Sequence, residues 1–314
     1  MSTVLVTGGA GFIGSHLADR LLAEGHRVIS VDDLATGRIA NLVDARGYGK
    51  EFTFFNMDVR ADGLASLFER HHPEVVFHLA AQSGVRPSLE DPVLDASINV
   101  MGTLNVLECA ARVEARKVVY AASGGTIYGE PRRLPAKETS AQGSHPLSPY
   151  GISKKIVLDY LGFYQRYRGL EFTALALGNV YGPRQDPHGE AGVIAIFASR
   201  MLAGEPLTIF GDGNQTRDYV FIDDVVHAFV QAIDRGPGKL VNIGTGLETS
   251  VNHLYRLLAD ITGYDREPAF GQLPPGELRR IALDIRSASN AIAWKPWTHL
   301  EDGLAETVAY LKGV

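Results

Sequence analysis

Tyr150 and Lys154 stand four residues apart in Tyr150-Gly151-Ile152-Ser153-Lys154. On a helix that spacing puts a phenol and an ammonium on one face. The ammonium favours the phenolate, so the pair predicts a tyrosine that works as a base. Far upstream, Gly8-Gly9-Ala10-Gly11-Phe12-Ile13-Gly14 fits Gly-x-Gly-x-x-Gly from Gly9. Glycines there let backbone N–H groups approach a pyrophosphate, whose charge then rests at a helix N-terminus. Asp32 closes the next strand-like run, where a carboxylate can accept hydrogen bonds from an adenine-ribose diol. Asp32 and Asp33 together repel a 2′-phosphate, and no arginine follows before Arg38, so NAD is expected rather than NADP. Asp58, with Val59 beside it, is expected near the adenine, and its competing role is a strand-end cap. Leu79-Ala80-Ala81 offers small side chains where backbone must pass close to the dinucleotide.

Elements that could position these groups are legible around them. Val4–Thr7, Arg27–Val31, Phe52–Asn56, Val75–Leu79, Lys117–Ala121 and Phe172–Leu177 read as strands. Most are continuously apolar, as parallel strands covered on both faces are. Helical spacing fills the intervals, including Val93–Ala111 and Tyr150–Tyr167, the latter started by Pro149. This alternation predicts an α/β fold with a Rossmann-type doubly wound parallel sheet. Prolines and glycines crowd the chain after about residue 178. Residues 1–178 are therefore expected to form an NAD-binding domain. Residues 179–314 would form a smaller C-terminal substrate-binding lobe, with some segments returning to the first. The default ligand site is the cleft between them.

Bulk properties exclude several classes. The 314 residues are 45% hydrophobic and 21% charged, with a net charge of −6, which is ordinary for a globular protein. No basic surface suggests nucleic-acid binding, and no apolar run is long enough for a membrane span. A single cysteine, Cys109, cannot form an internal disulfide, so a cytoplasmic location is expected. The ten histidines lack metal-ligand spacing, and no metal is expected.

The glycine motif, Asp32, Leu79-Ala80-Ala81, Asn99, Ser148-Pro149-Tyr150 with Lys154, Asn179-Val180-Tyr181-Gly182-Pro183-Arg184-Gln185 and Arg217-Asp218-Tyr219-Val220 together resemble the extended short-chain dehydrogenase/reductase family. Within it the whole chain is most similar to nucleotide-sugar 4-epimerases of the UDP-glucose/UDP-galactose type. That resemblance implies a tightly held NAD, a tyrosine base (Tyr150), a lysine that also binds the nicotinamide ribose (Lys154), and a Ser or Thr hydroxyl at the sugar 4-OH. It adds Asn99 to the cofactor contacts. It places Asn179 on the diphosphate, Val193 and the 207–210 segment with Ile209 around uracil, and Arg217 on a phosphate, with Arg279 or Arg280 as a second phosphate contact. Arg217 could instead bridge to Asp218 or Asp223. Family members also pair two long helices per subunit into a homodimer, for which Val93–Ala111 and Tyr150–Tyr167 are the candidates.

The sequence departs from the family at the hydroxyl. In Ala121-Ala122-Ser123-Gly124-Gly125-Thr126, the usual Ser or Thr aligns with Gly124. Ser123 or Thr126 must replace it, and Thr126 is preferred because a Gly-Gly pair lets the following turn close in. Gly125 and Thr126 also stand where related dehydratases and decarboxylases carry acidic residues, which favours oxidation and reduction at one carbon. Gln82-Ser83-Gly84-Val85-Arg86-Pro87-Ser88 resembles a loop of UDP-glucuronate 4-epimerases, and it nominates Arg86 and Ser88 as sugar contacts. Arg86 could equally be an exposed arginine. The leading expectation is an isomerase, a UDP-hexose 4-epimerase acting through a 4-keto intermediate. A UDP-glucuronate 4-epimerase is the alternative, and a non-catalytic nucleotide-sugar sensor a remote one.

Overall fold

A computed structural model describes residues 2–187, 192–273 and 278–313. Its N-terminal part runs β1 (Thr3–Thr7), α1 (Phe12–Ala23), β2 (Arg27–Asp32), α2 (Val43–Arg46), β3 (Phe52–Asn56), α3 (Gly63–His71) and β4 (Val75–His78). There follow α4 (Val85–Glu90), α5 (Pro92–Ala96), α6 (Thr103–Arg112), β5 (Lys117–Ser123), α7 (Pro149–Arg168) and β6 (Glu171–Leu177). The rest comprises β7 (Asn179–Tyr181), α8 (Val193–Leu202), β8 (Thr208–Phe210), β9 (Thr216–Arg217), β10 (Tyr219–Phe221), α9 (Ile222–Gln231) and β11 (Lys239–Ile243). It closes with β12 (Thr249–Ser250), α10 (Val251–Thr262), β13 (Ala269–Gly271), α11 (Arg286–Ile292) and α12 (Leu300–Lys312).

Seven strands form one parallel sheet in the order β11-β6-β5-β4-β1-β2-β3. The order reverses between β1 and β4, so their C-terminal ends flank the crevice where such sheets bind ligands. Strand residues alternate between two cores. Val4, Val6 and Phe77 pack with α1 and α9, whereas Leu5, Val76, Val118 and Tyr120 pack with α3, α6 and α7. Both faces are covered, which explains the unbroken apolar runs.

The second half does not separate cleanly. β11 adds to the edge of the main sheet beside β6. The remaining strands make three short pairs, β7–β10, β8–β13 and β9–β12. Their core, with Phe197, Ile209, Leu254 and Leu258, is continuous with the α1 side of the sheet.

The predicted helix Val93–Ala111 differs in detail. It is α5 and α6 joined by a π-helical turn, Ser97–Gly102. Such turns occur mostly at functional sites, and this one carries Asn99. The helix predicted at Tyr150–Tyr167 is α7. Pro149 takes its first position, and the Ser148 hydroxyl accepts a hydrogen bond from the Gly151 N–H at 3.2 Å.

Candidate active site

The glycine loop bridges β1 and α1 at the reversal of strand order. Gly8 adopts φ of +70°, and a Cβ there would lie 2.8 Å from the Ala80 nitrogen. A Cβ on Gly14 would lie 2.0 Å from the Gly8 carbonyl oxygen. Only glycine lets loop, helix and the 79–81 stretch approach this closely. Gly11 begins α1 without any side-chain cap. The N–H groups of Phe12 and Ile13, in the first turn of α1, thus remain available to an anion. Asp32 is buried at the end of β2, where its carboxylate accepts from Ala10 N (3.0 Å) and Leu34 N (2.8 Å). Burial nevertheless holds its pKa above the usual carboxylate range. It therefore braces the glycine loop. Asp33 is exposed and caps Ala35 N at 3.0 Å.

Asp58 is engaged by Arg60. It accepts from the Arg60 backbone at 2.7 Å and from the Arg60 guanidinium at 2.5–3.0 Å. That arginine holds its carboxyl below the ordinary value. Val59 is buried, and its carbonyl accepts from Asn105 Nδ2 at 2.7 Å.

Beside the loop runs a buried polar chain that the sequence did not disclose. Thr103 Oγ1 donates to the Asn99 carbonyl at 2.6 Å, so it must accept from His78 Nε2–H at 2.8 Å. His78 Nδ1 then accepts from Thr7 Oγ1 at 2.7 Å. Thr7 Oγ1 in turn accepts from Leu79 N and Ala80 N, both at 3.2 Å. Burial first, and Lys154 second, push His78 down to about 3, so the ring is neutral. The chain locks β1 to the 79–81 stretch. Asn99 was expected on the cofactor, but its amide closes on the protein. Nδ2 donates to the Gln82 and Asp95 oxygens, and Oδ1 accepts from Gln82 N, all at 2.9 Å. It shapes the cofactor lane instead of lining it with a free amide.

Tyr150 and Lys154 meet at the end of β5. Lys154 Nζ donates to the Ala121 carbonyl at 2.9 Å and lies 4.9 Å from the Tyr120 ring centroid and 5.9 Å from that of Tyr150. Burial lowers Lys154 to about 8. The spacing predicted a lowered phenol, but burial dominates in the protein alone and raises Tyr150 to about 12. The Ser123 hydroxyl beside that phenol opposes the rise.

The two candidates for the hydroxyl, Ser123 and Thr126, have different surroundings. β5 extends two residues beyond the predicted Ala121, carrying Ser123 into the site. Thr126 sits instead under the start of α7, where a Cβ on Gly151 would lie 3.2 Å from its Cβ. Its Oγ1 is buried without a partner. Position 124 was read as a missing hydroxyl, yet a Cβ there would point at Leu283 Cδ1, 2.6 Å away, not at Tyr150.

The sugar and nucleotide candidates spread more widely. Ser88 is fully buried, and its hydroxyl donates to the Val85 carbonyl at 2.6 Å, so it serves α4 and not the cleft. Arg86 is exposed, with its guanidinium 5.5 Å from the Phe210 ring centroid. Ile209 points into the core at 1% exposure, because side chains alternate along β8, so Phe210 is the residue that faces out. Asn179 lies beside the β5 end, its Oδ1 3.6 Å from where a Gly125 Cβ would be. Val193 opens α8 and is partly buried. Arg217 donates to the Thr216 and Leu278 carbonyls at 2.9 and 2.8 Å. The Asp218 carboxylate is gathered by Thr245, Gly246 and Leu283. Arg279 is exposed, and Arg280 is paired with Glu248 at 2.5 Å. Among the described residues no group of acidic, His or Cys side chains could hold a metal ion.

Comparison with known proteins fits this geometry. The NAD dependent epimerase/dehydratase family model matches residues 4–244. A UDP-glucose 4-epimerase of Mycolicibacterium smegmatis is 47% identical over 309 residues, 98% of each chain. A UDP-glucose 4-epimerase of Thermotoga maritima, solved with UDP-glucose, superposes with a TM-score of 0.95 at 45% identity, covering 99% of both chains. A UDP-glucuronic acid 4-epimerase of Bacillus cereus, solved with UDP-glucuronic acid and NAD, gives 0.88 at 31% identity, also over 99% of both.

Proposed function

The chain belongs to the NAD dependent epimerase/dehydratase family, and on that premise we propose that it interconverts UDP-glucose and UDP-galactose at C4. One observation carries the reading: Tyr150, Ser123 and Lys154 converge at the end of β5, beside the crevice bounded by the glycine loop. The cradle that side chains on Gly8 and Gly14 would fill, together with Asp32, fits a dinucleotide without a 2′-phosphate. Bound there, NAD supplies the hydride acceptor and donor and, when oxidised, a positive charge that favours the phenolate.

Tyr150 takes the proton from the sugar 4-OH and later returns it. The Ser123 hydroxyl steadies both the phenolate and the reacting oxygen. Lys154 keeps its proton and holds positive charge close to the phenol. No carboxylate stands on the 124–126 turn to expel water or assist decarboxylation. The 4-keto sugar must present its other face before reduction, so its grip has to come from the nucleotide end. Arg217, Arg279 and Asn179 serve the diphosphate in this reading, and Val193 with Phe210 the base.

Two further points belong to the proposal. Val93, Met101, Ile152, Ile156, Phe163 and Tyr167 leave apolar surface exposed on α5, the π-helical turn and α7, which suits a homodimer built on these helices. A dimeric mass in light scattering would support it and a monomeric one would refute it. No helix among the described residues is long and apolar enough to cross a membrane. The lone, buried Cys109 suits the cytoplasm.

The test is anomeric proton NMR after incubation with UDP-glucose, UDP-glucuronate and UDP-N-acetylglucosamine in turn. The expected result is a galactose signal growing from UDP-glucose. Turnover of the uronate alone would overturn the assignment.

A further inference from the structure

Asp95 lies on α5, outside every motif of the sequence. It is 1% exposed. One carboxylate oxygen accepts from Ser153 Oγ at 2.6 Å and the other from Asn99 Nδ2 at 2.9 Å. Ser153 directly precedes Lys154 on α7. Asn99 holds the backbone of Gln82, the residue that follows the 79–81 stretch. Three side chains thus span buried space from the cofactor lane to the helix that carries Tyr150 and Lys154.

The donors to Asp95 are neutral, and burying a carboxylate on neutral partners is costly. Burial duly holds its carboxyl above the ordinary range. A fold that tolerates such a cost beside its reacting groups marks the residue as functional. The surroundings of Lys154 suggest what it does. β5 offers the Tyr120 ring and the Ala121 carbonyl, β4 a neutral His78, and α7 the Tyr150 phenol. Asp95, from α5, bonded to Ser153 one residue before the lysine, supplies a negative charge that opposes loss of the lysine proton.

We infer that Asp95 is a positioning residue for the Tyr150–Lys154 pair: its bonds to Asn99 and Ser153 fix α7 against the cofactor lane, and its carboxylate backs the Lys154 ammonium. The inference rests on the function proposed above.

Asp95→Asn and Ser153→Ala, made in the NAD-loaded enzyme, separate the two contributions. An asparagine can accept from Asn99 and donate to a rotated Ser153 hydroxyl, so it keeps the span and removes the charge. Its alkaline limb of kcat/KM should move to lower pH, with bound NAD and the KM for UDP-glucose unchanged. Ser153→Ala keeps the charge and cuts the span. It should lower kcat about tenfold at constant KM, since small misplacements of reacting groups are costly, and leave the limb in place. Asp95→Ala should show both effects, and if it fails to fold the other two variants decide. A wild-type pH limb in Asp95→Asn together with wild-type kcat in Ser153→Ala overturns the inference. So does a loss that appears only as shed NAD or raised KM, because Asp95 would then be packing support. Tyr150→Phe is assayed alongside: full activity there overturns the reading of the site itself, whereas an inactive Tyr150→Phe beside unaffected Asp95 and Ser153 variants overturns only the role of Asp95.

Discussion

The two walls of the cleft are built differently. On the β4–β5–α7 side, His78, Asp95, Asn99, Thr103, Ser153 and Lys154 are all buried, and each is already bonded to protein. On the facing wall, Phe210, Arg279 and Arg280 lie at the surface of short strand pairs and connecting loops. Buried, directional bonds hold atoms to the tolerance that proton and hydride transfer require. Exposed groups can follow a ligand that must turn over between half-reactions. One wall is made for geometry and the other for retention, so damage to each should register in a different kinetic constant.

The sharpest way to break this contrast is Tyr150→Phe. Removing the base should lower kcat by roughly 10²–10⁴-fold and leave the KM for UDP-glucose nearly unchanged. A comparable rise in KM would show that the rigid wall also carries binding.

Ser123→Ala comes next. Loss of a donor to the reacting oxygen should lower kcat by roughly 10²–10³-fold. Thr126→Val, which removes a hydroxyl without a protein partner, should change little. The reverse ranking would restore the preference drawn from the sequence and remove Ser123 from the site.

The third prediction is a pH profile. Lys154 lies below the usual lysine value, first because of burial, and its ammonium is lost as pH rises through about 8. Activity that depends on the charge is therefore full below that pH and should fall about tenfold per unit above it, as simple titration of one group requires. A kcat/KM profile flat to pH 9.5 would mean that Lys154 acts only as a spacer.

The same contrast explains what the sequence could and could not disclose. The glycine loop, Asp32, Tyr150 and Lys154 follow local rules of turn, strand end and helix face, so residue type and spacing suffice. All seven strands of the sheet were legible, Leu240–Ile243 of β11 included, but the place of β11 at the edge beside β6 was not, because that pairing has no local signature. His78, Asp95 and Ser153 gave no signal, since their partners are distant in sequence and each residue is ordinary in its own element. Ser88 and Ile209 show a simpler limit: the resemblance named their segments, but which way each side chain faces depends on helix α4 and strand β8, which it did not give. The end of β5 was less legible: it was expected at Ala121, and two more residues of strand bring Ser123 towards the phenol.

The smallest effects should come from the exposed wall, where two arginines sharpen the comparison. Arg217 is partly buried and reaches the Thr216 and Leu278 carbonyls, which holds its guanidinium in a defined place. Arg280 points its guanidinium at Glu248 on the surface. A charge-assisted contact from a pre-positioned arginine to a phosphate is worth about 1.5–3 kcal/mol. Arg217→Met should therefore raise the KM for UDP-glucose by roughly tenfold or more, as about 1.4 kcal/mol is tenfold, with kcat largely kept. Arg280→Met gives up a solvated pair with little to contribute. Its KM should stay within about twofold of wild type at ordinary salt, where exposed charges are well screened. If Arg280→Met raises KM as much as Arg217→Met, the Glu248 pairing must open to release Arg280 to the diphosphate. The exposed wall would then hold its ligand by exchanging one ion pair for another, and raising the ionic strength should narrow the difference between the two variants.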